Sequence, residues 1–277
     1  MKKSVCRILI AGVLSAALVL YAVGCGNTDT EISGSSKSSD DSLQKVLDAG
    51  QLVLGLDDNY PPMGFVNEKG EIDGFDIDMA QEVCDRLGIG LVKKPIDWAA
   101  KEDELNKGTI DCIWNGMTVS PERKESMNLS DPYLRSERVF VVRGDSGAKS
   151  VSDLTGLTVG VQSGSMNQEV LESSGLSADI KILKFSDNLE IMQKLKQGTL
   201  NAALIGSIAA YYYISVSNER FFVLPESFGK EELAIGFRKG DQTLRDRVQE
   251  TINEMKADGT LKKISTKWFG SDITIVK

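Results

Sequence analysis

The sequence of 277 residues contains no histidine. Histidine is the usual general base of Ser-His-Asp and Cys-His catalytic sites and the commonest zinc ligand, so its absence excludes the familiar forms of both. An enzyme built from this chain would depend on carboxylates, lysine or tyrosine. The sequence therefore predicts no histidine-dependent catalysis, no metal site and no cofactor.

Cysteine is also scarce, with four residues in the whole chain. Cys6 and Cys25 fall in the N-terminal segment, so only Cys84 and Cys112 could pair within a folded domain. Each has apolar neighbours, the first in a predicted helix and the second in a predicted strand. We expect buried free thiols; a disulfide is the alternative, because pairing cannot be read from a sequence.

Long hydrophobic runs are nearly absent. The run at residues 8–23 is shorter than the ~20 residues of a membrane-spanning helix, and three basic residues precede it. This pattern is typical of a secretory signal. It ends in Ala-Val-Gly-Cys at 22–25, which resembles the bacterial lipobox, where the signal is cut and the cysteine acylated. We expect a signal peptide at 1–24 and a lipid, such as palmitate, on Cys25; a plain signal peptide or an uncleaved anchor are the alternatives.

The segment at 25–41 would then be the acylated cysteine and a flexible tether, because it is polar, rich in serine and without apolar periodicity. The folded part is expected to start near Ser42. Without the signal the chain has 29 basic and 40 acidic residues, a net charge of −11. An acidic protein binds nucleic acid poorly, so no nucleic-acid partner is expected.

From residue 42 onward, strand-like apolar runs alternate with helical patterns, which predicts an α/β fold with parallel strands. Two segments recur: LNKGTID at 105–111 matches LKQGTLN at 195–201, and LVLGL at 52–56 matches LTVGV at 157–161. The matches occur in the same order at equivalent places. The sequence therefore predicts two similar lobes.

If the second lobe is inserted into the first, the chain must cross between them twice. The continuous apolar runs at 138–142 and 233–237 are suited to such crossings. We therefore predict that 42–137 plus 234–277 form lobe 1 and that 138–233 form lobe 2. The apolar periodicities at 244–255 and 261–268 predict helices that pack on a core.

Ligands of open α/β sheets bind beyond the carboxyl ends of the strands. Polar, aromatic and small residues follow three of the predicted strands, namely Asp57, Tyr60, Trp98, Asn115, Gly116 and Thr118. In a cleft the two aromatic rings would enclose a ligand side chain. Packing in the core is the alternative for both rings.

Arg123 is the most informative single position. Ser120-Pro121-Glu122-Arg123 predicts an N-cap, a proline at the first helical position and an arginine at the third. A cation there opposes the helix dipole by up to about 1 kcal/mol, so an anionic ligand explains it better than helix stability does. A carboxylate would bind the guanidinium bidentately. The alternative is a solvated arginine paired with Glu122 or with Glu125.

In the second lobe, the segment at 162–166 follows a predicted strand and opens a helix. Its Ser165 hydroxyl and the backbone N–H of Met166 are candidates for contact with a carboxylate.

Together these residues resemble the polar amino-acid branch of the periplasmic-type solute-binding proteins of ABC transporters. This family includes the glutamine, histidine and lysine/arginine/ornithine binding proteins. The resemblance covers nearly all of residues 42–272, and its most specific motifs are GFDID at 74–78, NGMTVSPER at 115–123, LSDPY at 129–133 and IGFRKG at 235–240.

The resemblance implies a type II periplasmic binding protein fold, with two Rossmann-like α/β lobes joined by a two-strand hinge. Such a protein closes its lobes on a polar amino acid and delivers it to a membrane permease without catalysing a reaction. It would act as a monomer, lipid-anchored to the cell membrane on its extracytoplasmic side.

By matching position, the resemblance also implies the roles of the ligand-binding residues. Arg123 would bind the α-carboxylate of the ligand, with help from the Ser165 hydroxyl and the Met166 amide. Thr118 and the Gly116 carbonyl would meet the α-ammonium. The rings of Tyr60 and Trp98 would stack on the ligand side chain, and Asp57 would contact its polar tip.

Gly206 departs from the family pattern, which usually has an aspartate at this station to hold the α-ammonium. A buried ammonium without a carboxylate partner is unfavourable. Either another acid substitutes or the ligand is not an ordinary α-amino acid. Asp57 is our candidate substitute, so the identity of the amino acid stays open.

Two other functions compete with transport. The same fold can carry a dehydratase, for which Asp57 or Asp97 would be the proton-transfer group. A lipoprotein that senses its ligand and signals through a separate receptor is the second alternative. The absence of histidine and the retained carboxylate clamp favour binding without chemistry.

Overall fold

A computed structural model describes residues 40–277, which form one compact unit. The predictions for the signal peptide, for Cys25 and for the tether up to residue 39 lie outside the described residues. Within 40–277, no helix is long and apolar enough to cross a membrane.

The described chain alternates strands and helices, as the sequence predicts. The strands are β1 Gln51–Leu56, β2 Asn59–Tyr60, β3 Gly64–Val66, β4 Ile72–Asp73, β5 Gly90–Pro95, β6 Cys112–Thr118, β7 Met127–Leu129, β8 Leu134–Arg143, β9 Thr158–Gln162, β10 Lys181–Phe185, β11 Ala202–Gly206, β12 Phe221–Val223 and β13 Lys230–Arg238. The helices are α1 Ser42–Ala49, α2 Phe75–Leu87, α3 Lys101–Asn106, α4 Pro121–Ser126, α5 Met166–Ser173, α6 Asn188–Lys196, α7 Ser207–Val216, α8 Gln242–Ala257 and α9 Thr260–Phe269.

The main sheet has the strand order β10-β9-β11-β8-β13-β6-β1-β5. Strand β1 is parallel to β5 and β6, and β9 is parallel to β10 and β11. The long strands β8 and β13 lie antiparallel between these two groups. One end of β8 pairs with β13 and the other with β11, while β13 continues into pairing with β6. These are the two crossing strands, and the two-lobed α/β prediction is confirmed; the exact lobe boundaries stay a prediction.

Buried apolar side chains form separate clusters on the two sides of the crossing strands. In lobe 1, helices α2, α8 and α9 cover β1 and β6, and the helical face Leu244, Val248, Ile252 and Met255 is buried there as predicted. In lobe 2, one cluster lies around α6 and α7 and another around β9 and α5. Each lobe therefore has its own core.

The repeated LNKGTID and LKQGTLN segments have the same local structure. Gly108 donates its N–H to Leu105 O at 3.1 Å, and Gly198 donates to Leu195 O at 3.1 Å. Both glycines have positive φ, 72° and 73°, which ends the helix and turns the chain into the next strand. The predicted glycine caps are confirmed.

Cys84 and Cys112 are both buried free thiols, as expected. Burial raises the pKa of the Cys84 thiol to about 12 and raises that of Cys112 as well. Both thiols therefore act as small apolar groups in the core of lobe 1.

Candidate functional site

The carboxyl ends of β1, β6 and β9, the crossing strand β13 and the starts of α5 and α6 converge on one buried pocket. It is lined by Asp57, Tyr60, Trp98, Asn115, Gly116, Thr118, Arg123, Gln162, Ser165, Met166, Asn167, Asn188 and Glu231. Nine of the ten ligand-binding residues predicted from the sequence are in this set. The tenth, Gly206, lies beside it: a Cβ at Gly206 would be 3.2 Å from Tyr60 Oη.

Arg123 lies at the start of α4 in the predicted arrangement. The Ser120 hydroxyl accepts a hydrogen bond from Arg123 N at 3.2 Å, and Pro121 is the first helical residue. The arginine is only 4% exposed, so the alternative of a solvated side chain is wrong. Its Nη1 donates to Thr118 O at 2.7 Å, and its buried Nη2 has no hydrogen-bond partner within residues 40–277. Burial lowers the pKa of Arg123, since a charge is held out of water.

The α5 end of the pocket comes from lobe 2. Ser165 is the N-cap of α5: its hydroxyl accepts from Gln168 N at 3.2 Å and donates to Gln162 O at 2.7 Å. Met166 and Asn167, the first two residues of the helix, also line the pocket. An anion beside these residues would meet the positive end of the helix dipole.

Asp57 is at the centre of a polar network. The residue is 6% exposed; its Oδ1 accepts from Asn59 N at 2.9 Å and its Oδ2 accepts from Gln162 Nε2 at 2.6 Å. Gln162 Oε1 in turn accepts from Asn188 Nδ2 at 3.0 Å. Because Asp57 follows β1 in lobe 1, whereas Gln162 and Asn188 belong to lobe 2, this network crosses the cleft. Gln162 and Asn188 were not predicted; their only signal was a place directly after a strand or at the start of a helix.

Burial raises the pKa of Asp57 from its ordinary 3.8 to about 6, since removal of the carboxylate from water outweighs its hydrogen bonds. The folded state therefore takes up a proton more readily than the unfolded chain. The resulting stabilisation is present below about pH 4 and is lost as pH rises through about 6.

Replacing Asp57 by asparagine is expected to remove this pH dependence. A rise of about two pKa units corresponds to about 3 kcal/mol, so the wild type should lose up to that much more stability than the variant between pH 4 and pH 7. Urea unfolding at several pH values measures the difference. Asp103→Asn, an exposed change in the same lobe, is the control, and equal pH slopes for wild type and Asp57→Asn would contradict the prediction.

The backbone at Gly116 is fixed by a hydrogen bond to Asp76, a fully buried residue of the GFDID motif. Asp76 Oδ2 accepts from Gly116 N at 2.7 Å and from Tyr133 Oη at 2.9 Å. A Cβ at Gly116 would lie 2.9 Å from Cε1 of Tyr60. Gly116 therefore lets the ring of Tyr60 pack directly on the backbone of β6. Asp76 of the GFDID motif holds that backbone in place.

Tyr60 and Trp98 satisfy both interpretations drawn from the sequence. Both line the pocket. Trp98 also packs with Leu105, Ile110 and Met117, and Tyr60 packs against the cores of both lobes. Each ring thus places one part in the core and another part in the pocket.

Glu231 is another pocket residue that sequence reasoning missed. It belongs to β13, is 7% exposed, and accepts a hydrogen bond from Thr118 Oγ1 at 3.0 Å. Arg138 Nη2 lies 3.5 Å from its carboxylate. Its signal in the sequence was weak, because Lys-Glu-Glu at 230–232 is typical of an exposed turn before a strand.

Direct contacts join the lobes around the pocket. Lys101 Nζ of lobe 1 donates to Gly164 O of lobe 2 at 2.8 Å. Tyr213 Oη of lobe 2 donates to Asn59 O of lobe 1 at 3.1 Å. Together with the bond between Gln162 and Asp57, these contacts hold the cleft in a closed conformation.

Comparison with known proteins is consistent with this geometry. Residues 52–271 match the bacterial extracellular solute-binding proteins, family 3. The chain is 33% identical over 270 residues to the L-cystine-binding protein TcyJ of Escherichia coli, covering 97% of each chain. It is 31% identical over 254 residues to the arginine-binding extracellular protein ArtP of Bacillus subtilis, covering 91% of this chain and 97% of the relative.

A solved structure gives the same picture for the fold. The substrate-binding protein of an ABC uptake transporter from Streptococcus pneumoniae, described with bound histidine, superposes with a TM-score of 0.82. The two sequences are 34% identical, and the match covers 86% of this chain and 99% of the other.

Proposed function

Because the chain belongs to family 3 of the bacterial extracellular solute-binding proteins, whose relatives here are amino-acid-binding proteins of ABC transporters, we propose that it delivers one polar amino acid to an ABC permease. It would act as a monomer, attached to the outer face of the cell membrane through a lipid on Cys25. Like these relatives, the chain is a binding protein and not an enzyme.

The observation that carries the proposal is the buried guanidinium of Arg123. Its Nη1 donates to Thr118 O, and its buried Nη2 has no hydrogen-bond partner within the described residues. A buried guanidinium nitrogen without a hydrogen-bond partner is unfavourable, so a ligand that brings a carboxylate would stabilise the closed protein. A carboxylate can accept two parallel hydrogen bonds from a guanidinium.

The rest of the pocket favours a zwitterion over a simple carboxylic acid. Asp57 and Glu231 line the same pocket as Arg123, so acidic and basic groups lie together out of water. A ligand that carries both an ammonium and a carboxylate complements such a site, whereas a simple anion complements only Arg123. An α-amino acid has both groups.

The network of Asp57, Gln162 and Asn188 favours a ligand with a polar side chain. Its carboxylate and amides are buried, and an apolar ligand that displaced their mutual hydrogen bonds would leave them unpaired. The named ligands of the relatives fit this description: L-cystine, arginine and, in the solved structure, histidine.

Thermal unfolding against a ligand panel tests the proposal. Residues 40–277 form one compact unit, so a soluble variant that starts at residue 26 keeps all of that unit. L-Cystine, L-arginine, L-histidine, L-glutamine and the other common amino acids are added at about 1 mM, together with amines and amine-free carboxylates. A ligand with Kd near ~1 μM adds about 4 kcal/mol and raises Tm by several degrees.

We expect a polar α-amino acid to give the largest rise in Tm. Stabilisation by amine-free carboxylates alone would contradict amino-acid binding, and no stabilisation by any compound would contradict the proposed function as a whole. Loss of uptake of the same amino acid from cells that lack the protein tests delivery to the permease.

A further inference from the structure

Glu231 keeps unused hydrogen-bonding capacity although it is buried. Its Oε2 accepts one hydrogen bond, from Thr118 Oγ1 at 3.0 Å. The nearest guanidinium nitrogen of Arg138 is 3.5 Å away, beyond the 2.7–3.2 Å of an ordinary N–H···O bond. That cation therefore stabilises the charge of Glu231 without occupying its lone pairs. An ionised carboxylate can accept about four hydrogen bonds, so Glu231 can accept more from a ligand.

The carboxylate of Glu231 also fills the space next to Gly206. A Cβ added to Gly206 would lie 2.9 Å from Glu231 Oε1 and 3.4 Å from Ser136 Oγ. No side chain at position 206 fits while Glu231 keeps this conformation. Glu231 of β13 therefore occupies the space that a side chain at Gly206 of β11 would need. The negative charge at this point comes from the crossing strand β13.

Thr118 links Glu231 to Arg123, the residue that we assign to the ligand carboxylate. Arg123 Nη1 donates to Thr118 O, and Thr118 Oγ1 donates to Glu231, so a single residue contacts both charged groups. The ammonium and carboxylate of an α-amino acid are carried by one carbon atom. The groups that bind them must therefore lie near each other, and Thr118 contacts both Arg123 and Glu231.

Asp57, which the sequence analysis predicted as the partner of the α-ammonium, already accepts hydrogen bonds from other groups. Both of its oxygens already accept hydrogen bonds, from Asn59 N at 2.9 Å and from Gln162 Nε2 at 2.6 Å. Within the described residues it has no hydrogen bond to Thr118 or to Arg123. These contacts place Asp57 in the polar network that we assign to the ligand side chain.

We propose that Glu231 is the residue that binds the α-ammonium of the ligand and so makes the site select amino acids over the matching amine-free acids. The inference rests on the proposed function, and it identifies the residue that makes the site prefer amino acids to amine-free acids. It also places this contact on a crossing strand, between the two lobes.

Calorimetric titration of matched ligand pairs tests the assignment. Each amino acid is compared with its analogue that lacks only the α-amine: L-arginine with guanidinovaleric acid, L-glutamine with glutaramic acid, and L-histidine with imidazolepropionic acid. L-Cystine is compared with dithiodipropionic acid, which lacks both of its α-amines. The ratio of the two affinities measures recognition of the amine. Because both members carry the carboxylate, a damaged carboxylate site lowers both affinities and leaves the ratio unchanged.

Glu231→Gln is expected to lower this ratio about tenfold or more, with the affinity for the amine-free acid nearly unchanged. Glu232→Gln is the matched control, since Glu232 is the next residue of the same strand and pairs with the exposed Arg135. If Glu231→Gln fails to fold, the double variant Glu231→Ala with Gly206→Asp returns an acid to the same place from β11. It is expected to regain the preference for the amine.

Three results would overturn the assignment. If Asp57→Asn loses the preference and Glu231→Gln keeps it, Asp57 is the ammonium partner. If the wild type binds both members of each pair equally, Glu231 does not select the amine, while carboxylate binding and the proposed function stand. If the wild type binds no member of any pair and no other amino acid of the thermal panel, the proposed function itself fails.

Discussion

Replacing Arg123 by methionine is expected to weaken binding of the amino-acid ligand by about a hundredfold to a thousandfold. Methionine keeps most of the length and apolar volume of the side chain but removes the cation. The ligand carboxylate would then be buried without its partner, and loss of one member of a buried charge pair typically costs about 2–5 kcal/mol. Titration calorimetry of the ligand selected in the thermal panel measures the loss.

The stability of the ligand-free protein separates this role from a structural one. Removal of a buried, half-satisfied cation should leave Tm unchanged or raise it, because the desolvation penalty of the guanidinium disappears. Lys124→Met is the control, since Lys124 is the next residue of α4 and is exposed. Wild-type affinity in Arg123→Met would show that the ligand is not held through Arg123.

Local sequence patterns were sufficient for the fold and for most of the pocket. Glycines that end helices, such as Gly108 and Gly198, act through hydrogen bonds to residues three positions away, so a short motif contains the whole interaction. The same holds for the cap of α4 by Ser120. Residues that directly follow parallel strands were also predictable, because the topology brings the ends of those strands together.

The position of Glu231 could not be predicted from local patterns. It depends on the register between β8 and β13, in which Glu231 lies opposite Ser136, more than ninety positions earlier in the chain. Neighbouring charged residues such as Glu232 are exposed, and nothing in the sequence distinguishes the two glutamates. The contact to Thr118 arises from tertiary structure alone.

Asn188 and Gln162 were missed for a related reason. Asn188 is the first residue of α6 and directly follows the N-cap Asp187, so a polar residue there gives no sign of a ligand. Its place in the pocket results from its contact with Gln162, whose other partner, Asp57, belongs to the opposite lobe. A residue that joins a network across a cleft is recognisable only when the cleft is closed.

Closure itself gives the second large prediction: Gly164→Ala is expected to weaken ligand binding by about thirtyfold or more. A Cβ at Gly164 would lie 2.6 Å from the Cα of Ala99 in the opposite lobe, which is much closer than any real contact. The lobes could relieve the clash only by separating, and this would also break the bond from Lys101 Nζ to Gly164 O. Affinity falls in proportion to the fraction of protein that can still close.

Gly147→Ala is the control that separates this clash from backbone strain. Both glycines have positive φ, 68° at Gly164 and 77° at Gly147, so alanine is strained at either position. A Cβ at Gly147 meets no atom within 4 Å, so only the change at Gly164 should lower affinity. With saturating ligand, small-angle scattering should show a larger radius of gyration for Gly164→Ala than for wild type. Equal affinity and equal compactness would mean that the contact between Ala99 and Gly164 is not part of the ligand-bound state.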